Sequence, residues 1–313
     1  MKSFLINEND AGQRLDKFIL KVTVGLPSSL LYKGIRKNSV KVNKKRVDGA
    51  YKLCVGDEVK LWFPDEFFGE REDAFLGLNK DPQVVYEDGE ILIVNKPVGL
   101  SCHSDSAQKN STLIDIIKGY LFRKGEYDPQ KEASFAPALC NRIDRNTQGL
   151  VICAKTAVAL RSVNEAIRQR LFKKEYYALI KGIPSEKRAT LKHFLIKNSD
   201  TNRVSVFDSP RKGALTAILD YEIVKHSSQK QVSLARVVLH TGRTHQIRAQ
   251  FAHVGHPLVG DGKYGVTVSK RELGFEHQAL FSYKLTLFFP DGDPLAALNG
   301  KSFALPLPKE FEI

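Results

Sequence analysis

The sequence lacks the features that would mark a membrane protein, a disulfide-bonded protein or a zinc protein. Even its longest apolar runs are short, such as Leu150–Ala154 (LVICA), so we expect no membrane span. The first residues contain no long apolar stretch of the kind that secretory signals carry. The four cysteines form no CxxC pair, which indicates reduced thiols in a cytoplasmic protein.

Patterns for cofactors and metals are also missing. Neither a Rossmann nor a P-loop glycine pattern occurs, so we predict no nucleotide cofactor. The four histidines His240, His245, His253 and His256 lie close together and suggest a metal site at first sight. However, no HExxH motif and no Cys/His pairing accompanies them, and we predict no metal site.

Acidic residues are too few to balance the basic ones. The 313 residues include 48 Lys and Arg against 35 Asp and Glu, a net charge of +13. Such an excess favours a polyanionic partner, although charge alone does not distinguish RNA, DNA, a ribosome, a membrane surface or merely solvent. The length suits two domains rather than one.

The first 65 residues are expected to form a small unit of two helices and a β-hairpin. Apolar residues at helical spacing begin at Leu15, and a second helix is expected to start with Ser28 or Ser29 as its cap. SVKVN and EVKLWF read as the strands of a hairpin. A run without acids supplies seven cations for phosphates: Lys33, Arg36, Lys37, Lys41, Lys44, Lys45 and Arg46.

This segment resembles the alpha-L RNA-binding domain first known from a ribosomal protein. The resemblance rests on RLDKFI, GLPSSLLYKGIRKNSVKVNKKRV and GDEV, and it implies binding to structured RNA. An acidic stretch with Gly and Pro follows, which is typical of a linker. We therefore predict an RNA-binding domain over 1–65, an acidic linker over 66–82 and a second domain over 83–313.

The second domain is predicted to be an α+β domain with a mixed, largely antiparallel sheet. Short strands dominate and do not alternate strictly with helices, which argues against a doubly wound fold. The clearest helix is expected to begin after a Thr156 cap.

Asp144 lies between two arginines in the stretch NRIDRNTQG. In an extended chain Arg142 and Asp144 share a face, whereas Arg145 falls in a turn-like segment. The neighbouring cations favour the ionised carboxylate. Asp144 also directly precedes a core strand, where catalytic side chains often lie. Taken alone, the pattern fits a structural ion pair equally well.

Two further segments carry candidate residues. We expect a helix to begin at Thr244, which would place Arg243 at its N-terminus, where a cation is unfavourable unless it has an anionic partner. In KKEYYALIKG, Tyr176 and Tyr177 lie on opposite faces of a strand, so one of them can face a cleft while the other packs in a core.

Together these segments resemble the RluA-type pseudouridine synthases over most of the chain. The resemblance rests on five ordered stretches: Val84–His103, Asn141–Thr156, Lys173–Gly182, His240–Gly265 and His277–Pro290. It implies an RNA uridine isomerase without a cofactor. Within that resemblance the catalytic aspartate is Asp144, the active-site tyrosine is Tyr176, and the basic partner of the aspartate is Arg243.

The resemblance also implies RNA contacts. Arg142 would fill the space left by a flipped-out uridine, and Arg145, His245 and Gln246 would contact RNA. Asn141 and Gln148 depart from the family, which usually has His and Ser there. Because of the N-terminal domain, we expect ribosomal RNA of the large subunit (23S) as substrate, with no required protein partner. The alternatives are a tRNA-modifying relative, a non-catalytic ribosome-associated protein, and a metal-dependent RNA hydrolase using the histidines.

Overall fold

The computed structural model describes residues 1–69, 75–104, 111–265 and 273–313. It contains a small three-stranded sheet with two helices, followed by a large sheet covered by helices, which confirms the α+β prediction. The helices are α1 (Leu15–Val22), α2 (Ser28–Arg36), α3 (Leu113–Arg123), α4 (Ala157–Arg168) and α5 (Gln246–His253). The strands are β1 (Lys2–Leu5), β2 (Val40–Val42), β3 (Glu58–Leu61), β4 (Val84–Glu87), β5 (Ile91–Lys96), β6 (Ala138–Leu139), β7 (Gln148–Ala154), β8 (Lys173–Lys181), β9 (Arg188–Asn198), β10 (Arg203–Phe207), β11 (Leu215–Ser227), β12 (Val232–Leu239), β13 (Leu280–Thr286) and β14 (Ser302–Ala304).

The N-terminal unit packs α1 and α2 against a sheet in which β3 lies between β1 and β2. Leu15, Phe18 and Leu31 are fully buried there, as the helical spacing of apolar residues predicts. Strand β1 was not predicted from the sequence. Helix α2 begins at Ser28, but the predicted serine cap is wrong, because the extended residue Pro27 holds the cap position and no side chain caps the helix.

The large sheet has the strand order β10-β9-β11-β12-β8-β13-β7-β5-β4, with β14 on β13 and β6 on β7. In the described part of the chain every pairing is antiparallel except that of β7 with β13, which aligns Gln148 with Phe281 and Gly149 with Ser282. This parallel contact joins the two halves of the sheet at the end of the Asp144 loop.

Gly149 allows that contact. Its φ of +126° belongs to the region that glycine favours, and a Cβ there would lie 2.2 Å from the carbonyl oxygen of Ser282. The backbone of β7 therefore lies directly against β13, which fixes the strand that follows Asp144.

The two faces of the large sheet bury separate cores. One face packs α3 and α5 against residues such as Tyr176 and Val237, and the other packs α4 against Leu150 and Leu285. The predicted cap of α4 is confirmed, because Thr156 Oγ1 accepts a hydrogen bond from the amide of Ala159 at 3.1 Å. No helix among the described residues has the length and apolar character needed to cross a membrane.

The N-terminal unit is docked on the large domain by polar contacts. Asn9 Oδ1 accepts from the amide of Ala157 at the start of α4 (3.0 Å), and the carboxylate of Asp10 accepts from the amide of Ser134 (3.0 Å). The predicted acidic linker, 66–82, includes residues 70–74, which lie outside the described residues.

Candidate active site

Asp144 lies in the loop between β6 and β7. The residues before it alternate as predicted: Arg142 is exposed, Ile143 is buried, and the Asp144 side chain keeps 25% of its surface exposed. The amide of Thr147 donates to the carbonyl of Asp144 at 3.0 Å and closes the turn that leads into β7. The carboxylate is thus held at the edge of a rigid sheet while remaining accessible.

The basic partner of Asp144 is Arg248 on α5. Its Nη1 donates to Asp144 Oδ2 at 2.7 Å, while its Nε and Nη2 bond both oxygens of the buried Asp261 at 2.7 and 2.8 Å. Burial alone would lower the pKa of Arg248, but the hydrogen bonds and charges of Asp261 and Asp144 outweigh it and raise that pKa. Asp144 Oδ1 accepts no hydrogen bond from the described residues, and a quarter of the side-chain surface (25%) is exposed.

This arrangement corrects the prediction that Arg243 pairs with Asp144. The side chain of Arg243 is exposed, and its Nε donates to the carbonyl of Thr216 at 3.0 Å. Thr244 does not cap the helix, because α5 begins at Gln246 after His245, which has left-handed backbone angles. Arg243 therefore belongs to the preceding loop, and the unfavourable helix-terminus position inferred for it does not exist.

A signal for Arg248 was present in the sequence. It follows the apolar Ile247 and precedes Phe251 by three residues, so it shares the buried side of the helix. A buried arginine requires acidic partners, and these are Asp144 and Asp261, both distant in sequence.

Tyr176 on β8 faces the same site. It is 4% exposed and lies opposite Val237 of β12 and Ser282 of β13. Burial raises its pKa above the ordinary value, and the charge of Asp144 acts in the same direction, so the phenol stays protonated at neutral pH. Tyr177 points to the opposite face, where its ring centroid lies 4.3 Å from that of Tyr283.

A buried lysine ties the Asp144 loop to the end of β5. The Lys96 ammonium donates to the carbonyls of Pro97, Leu100 and Arg145 at 2.9, 2.8 and 2.9 Å. Burial lowers its pKa to about 8. The three carbonyls match its three N–H groups. This lysine was not predicted as a site residue, although the stretch VNKPVG places it at the end of a buried strand.

The two arginines beside Asp144 differ in their contacts. Arg145 Nε donates to the carbonyl of Gly99 at 3.0 Å, so it helps to join the same two loops. Arg142 is exposed and makes no hydrogen bond or ion pair with the described residues. Its guanidinium is thus available to RNA, whereas that of Arg145 is partly used within the protein.

The predicted RNA contact through Gln246 is corrected by the structure. Gln246 is buried; its Oε1 accepts from Thr241 Oγ1 (2.8 Å) and the amide of Arg243 (3.0 Å), and its Nε2 donates to the carbonyl of Ile218 (3.1 Å). Its amide therefore fixes the loop before α5 and has no free group for RNA.

His245, which was predicted to contact RNA, points inward toward Asp144. Its ring is 10% exposed, its Nδ1 lies 2.8 Å from the hydroxyl of Tyr264, and its Nε2 lies 4.0 Å from Asp144 Oδ2. The family departure at Asn141 has a structural effect as well, since Asn141 Oδ1 accepts from the amide of Ile152 at 2.8 Å and anchors the loop to β7.

The seven cations of the N-terminal unit lie on α2, directly after it at Lys37, on β2 and in the turn that follows β2. All are exposed or half-buried, and none forms a salt bridge within the described ranges. The ammonium of Lys41 lies 5.6 Å from the ring centroid of Trp62, which is 41% exposed. Unpaired cations beside an exposed indole suit the binding of phosphates and bases.

The clustered histidines do not gather around one point. Among the described residues, the group with ligand atoms close enough for a metal ion is His193, Asp208 and His253. Gln250 Nε2 donates to His193 Nδ1 at 2.9 Å and to a backbone carbonyl, which leaves the proton of the neutral imidazole on His193 Nε2. His193 Nε2 is the nitrogen that faces Asp208, and a nitrogen that carries a proton cannot bind a metal ion. The hydrogen bonds of His193 therefore favour a structural role for these three residues over a metal site.

Comparison with known proteins agrees with this fold. Residues 90–253 match the model of the family described as RNA pseudouridylate synthase, and residues 13–59 match the S4 domain. The chain therefore belongs to the RNA pseudouridylate synthase family, is an isomerase, and carries an S4 RNA-binding domain, as the resemblances predicted.

Two curated relatives cover most of the chain. The ribosomal large subunit pseudouridine synthase C of Haemophilus influenzae is 31% identical over 310 residues, which is 96% of this chain and 91% of the relative. The protein of the same name from Escherichia coli strain K12 is 34% identical over 284 residues, 87% of this chain and 82% of the relative.

A solved structure supports the fold. That of human RNA Pseudouridylate Synthase Domain Containing 1 matches with a TM-score of 0.56 at 23% identity, covering 74% of this chain and 86% of that chain.

Proposed function

We propose that this pseudouridine synthase isomerises specific uridines of 23S ribosomal RNA, with Asp144, Arg248 and Tyr176 as its catalytic centre. The observation that carries the site assignment is the Arg248–Asp144 ion pair, which fixes one oxygen of an accessible carboxylate and leaves the other free. The ribosomal substrate is supported by the names of both curated relatives and by the S4 domain.

The reaction breaks the bond between ribose and the base nitrogen, turns the uracil and rejoins it through carbon 5. The target must leave its stack to enter the site. Positive character then develops at the anomeric carbon, next to Asp144 Oδ1, which stabilises or traps it. Arg248 keeps the carboxylate oriented, so little reorganisation is needed as the bond breaks.

Tyr176 supplies the aromatic surface for the displaced uracil, and its protonated hydroxyl can donate but not accept a proton at neutral pH. Arg142, exposed two residues before Asp144, is placed to enter the space that the uridine vacates. The proposed centre uses side chains alone and requires no cofactor.

RNA binding is assigned to two regions. The basic surface of the N-terminal unit holds RNA through its phosphates, and Arg142 and Arg145 contact RNA near the target. We keep the division into an RNA-binding domain (1–65), a linker (66–82) and a catalytic domain (83–313), which is supported by the separate core of the N-terminal unit. A cytoplasmic location follows from a ribosomal RNA substrate.

The proposal is tested by incubating the purified protein with 23S rRNA and with tRNA transcripts and mapping pseudouridines by chemical adduct formation and primer extension. We expect new stops in 23S rRNA with the wild type and none with Asp144→Asn. Stops confined to tRNA would assign the enzyme to tRNA, and stops in neither RNA would contradict the proposed function. Repeating the reaction in excess chelator tests the alternative of a metal-dependent RNA hydrolase, because activity that persists in chelator excludes it.

A further inference from the structure

His245 has an unusual position next to the catalytic carboxylate. It precedes α5 with a φ of +51° and a ψ of +23°, a left-handed conformation that is unfavourable for a non-glycine residue. Strained residues of this kind cluster at functional sites. The conformation directs the ring inward, so that one nitrogen faces Tyr264 and the other faces Asp144.

The hydrogen bonds of Tyr264 determine which nitrogen of His245 carries the proton. The amide of Val204 donates to the Tyr264 hydroxyl oxygen at 2.9 Å, and that hydroxyl lies 2.8 Å from His245 Nδ1. Because the oxygen already accepts from Val204 and the described residues offer the hydroxyl hydrogen no other acceptor, the contact favours donation from Tyr264 to Nδ1. The proton of the neutral ring must then be on Nε2.

The Tyr264 ring is itself held in place. The guanidinium carbons of Arg248 and Arg203 lie 5.3 and 5.9 Å from its centroid, and the backbone amide of Tyr264 donates to Asp261 Oδ1 at 3.2 Å. The hydroxyl is therefore fixed relative to the same arginine that orients Asp144. Burial lowers the pKa of His245, against the charge of Asp144, so the ring is mainly neutral at pH 7.

We propose that His245 is a positioning residue whose Nε2–H becomes a second hydrogen-bond donor to Asp144 Oδ2 when uridine occupies the site. The separation of 4.0 Å is too long for a hydrogen bond in the free enzyme. Catalytic hydrogen bonds are often long without substrate and shorten in the complex. With Arg248 and His245 both on Oδ2, Oδ1 is the oxygen presented to the anomeric carbon.

This assignment excludes His245 as the base that removes the proton from carbon 5. Its Nε2 already carries a proton, and its Nδ1 is occupied by Tyr264. The histidine donates a hydrogen bond and transfers no proton. The inference rests on the proposed function, because it concerns the carboxylate that carries out the isomerisation.

Two substitutions of His245 distinguish the roles of its two ring nitrogens. The amide of His245→Gln reaches about as far as Nε2 and retains a donor toward Asp144. The amide of His245→Asn reaches about as far as Nδ1, retains the Tyr264 contact, and suits the left-handed backbone, but it lacks the donor toward Asp144. We expect Asn to lower the single-turnover rate at saturating RNA by about 10- to 100-fold and Gln to retain most of it, with RNA affinity unchanged in both.

The tautomer is measured directly by ¹⁵N imidazole spectra of the free protein, with the His245→Gln spectrum identifying the resonance. We expect the Nε2–H form in the wild type and loss of that preference in Tyr264→Phe. An Nδ1–H tautomer in the wild type, or equal rates for the Gln and Asn variants, would overturn the proposal. Wild-type activity tests the function itself, so the two proposals fail separately.

Protonation provides a third readout. Asp144, Arg248, Asp261 and Lys263 are the charged groups around the ring. Below the lowered pKa of His245 the ring gains a proton on Nδ1 and can no longer accept the hydrogen bond from Tyr264 that orients its Nε2–H toward Asp144. The wild-type rate should therefore fall in acid below pH 6.5, the ordinary value, and this fall should be weaker in His245→Gln. An identical fall in both proteins would contradict the role of His245.

Discussion

Arg248 joins Asp144 to Asp261 through one guanidinium, with bonds of 2.7 Å to the former and 2.7 and 2.8 Å to the latter. Asp261 is fully buried, while Asp144 reaches the open site. The buried carboxylate therefore orients the arginine, and the arginine orients the reactive carboxylate. The position of Asp144 thus depends on a residue more than a hundred positions away in the chain.

The first prediction distinguishes Arg248 from Arg243. Arg248→Lys keeps the charge but cannot bond both acids in the same fork geometry. We expect it to lower the single-turnover rate by about 100-fold or more, as removal of a preorganised donor does elsewhere. Arg243→Lys is the matched control and should stay within about threefold, because Arg243 contacts a backbone carbonyl in an exposed loop. Equal losses in the two variants would mean that Arg243 acts on Asp144 after all.

The second prediction concerns stability and its dependence on pH. Burial would raise the pKa of Asp261, but its bonds to Arg248 prevail and hold it below the ordinary 3.8. Its stabilisation is therefore fully present above pH 3.8 and is lost as the pH falls through the lower folded-state pKa. Asp261→Asn should lower the free energy of unfolding at pH 7 by about 3–5 kcal/mol, because it breaks a buried ion pair.

Urea unfolding followed by circular dichroism checks this expectation. Below pH 3.8, where the wild type also loses the contribution, the difference between the proteins should shrink. Asp200→Asn, at an exposed position, is the control and should change stability by less than about 0.5 kcal/mol. A difference that grows in acid would contradict the assignment.

The third prediction separates the adjacent tyrosines. Tyr176→Leu removes the ring beside Asp144, and stacking on an aromatic side chain contributes about 1–3 kcal/mol per base. Steady-state kcat/KM should fall by at least the corresponding factor of about 5 to 150. Tyr177→Leu removes a ring of similar size from the opposite face of β8, where it packs on Tyr283. We expect Tyr177→Leu to lower the melting temperature more than it lowers turnover. A larger loss of turnover in Tyr177→Leu than in Tyr176→Leu would instead place the active site on the Tyr177 face of the sheet.

The fourth prediction addresses the basic surface of the N-terminal unit. Charge reversal of Lys44 and Lys45 should weaken RNA binding and lower the slope of log Kd against log salt by about one for each phosphate that the variant no longer neutralises. Lys230 and Lys309, exposed outside this surface, provide a control double variant with the same change in net charge. Point variants are preferable to deletion of 1–65, because Asn9 and Asp10 bond the large domain. Unchanged slopes in both double variants would exclude the N-terminal unit from the RNA interface.

The sequence predicted the fold class and the position of Asp144 because these depend on local patterns. Side chains alternate along an extended chain, which places Arg142 and Asp144 on one face and Ile143 on the other. The Thr156 cap likewise marks the start of α4. The partner of Asp144 was misassigned because it depends on where α5 begins. That start is set by the left-handed His245, which has no strong local signal.

The remaining features depend on contacts between distant segments. Gly149 could be identified as a glycine in a turn, but only the pairing of β7 with β13 explains its contact with Ser282. The role of Lys96 likewise depends on its hydrogen bond to the carbonyl of Arg145, which lies in another loop.

The central claim is that Asp144, oriented by Arg248, isomerises uridine in RNA. Its most direct test is tritium release from 23S rRNA labelled at carbon 5 of uracil, since formation of the new bond at that carbon must displace its hydrogen. We predict release by the wild type and none by Asp144→Ala under conditions where both bind RNA equally. Equal release by Asp144→Ala, or no release by the wild type from any RNA, would contradict the account.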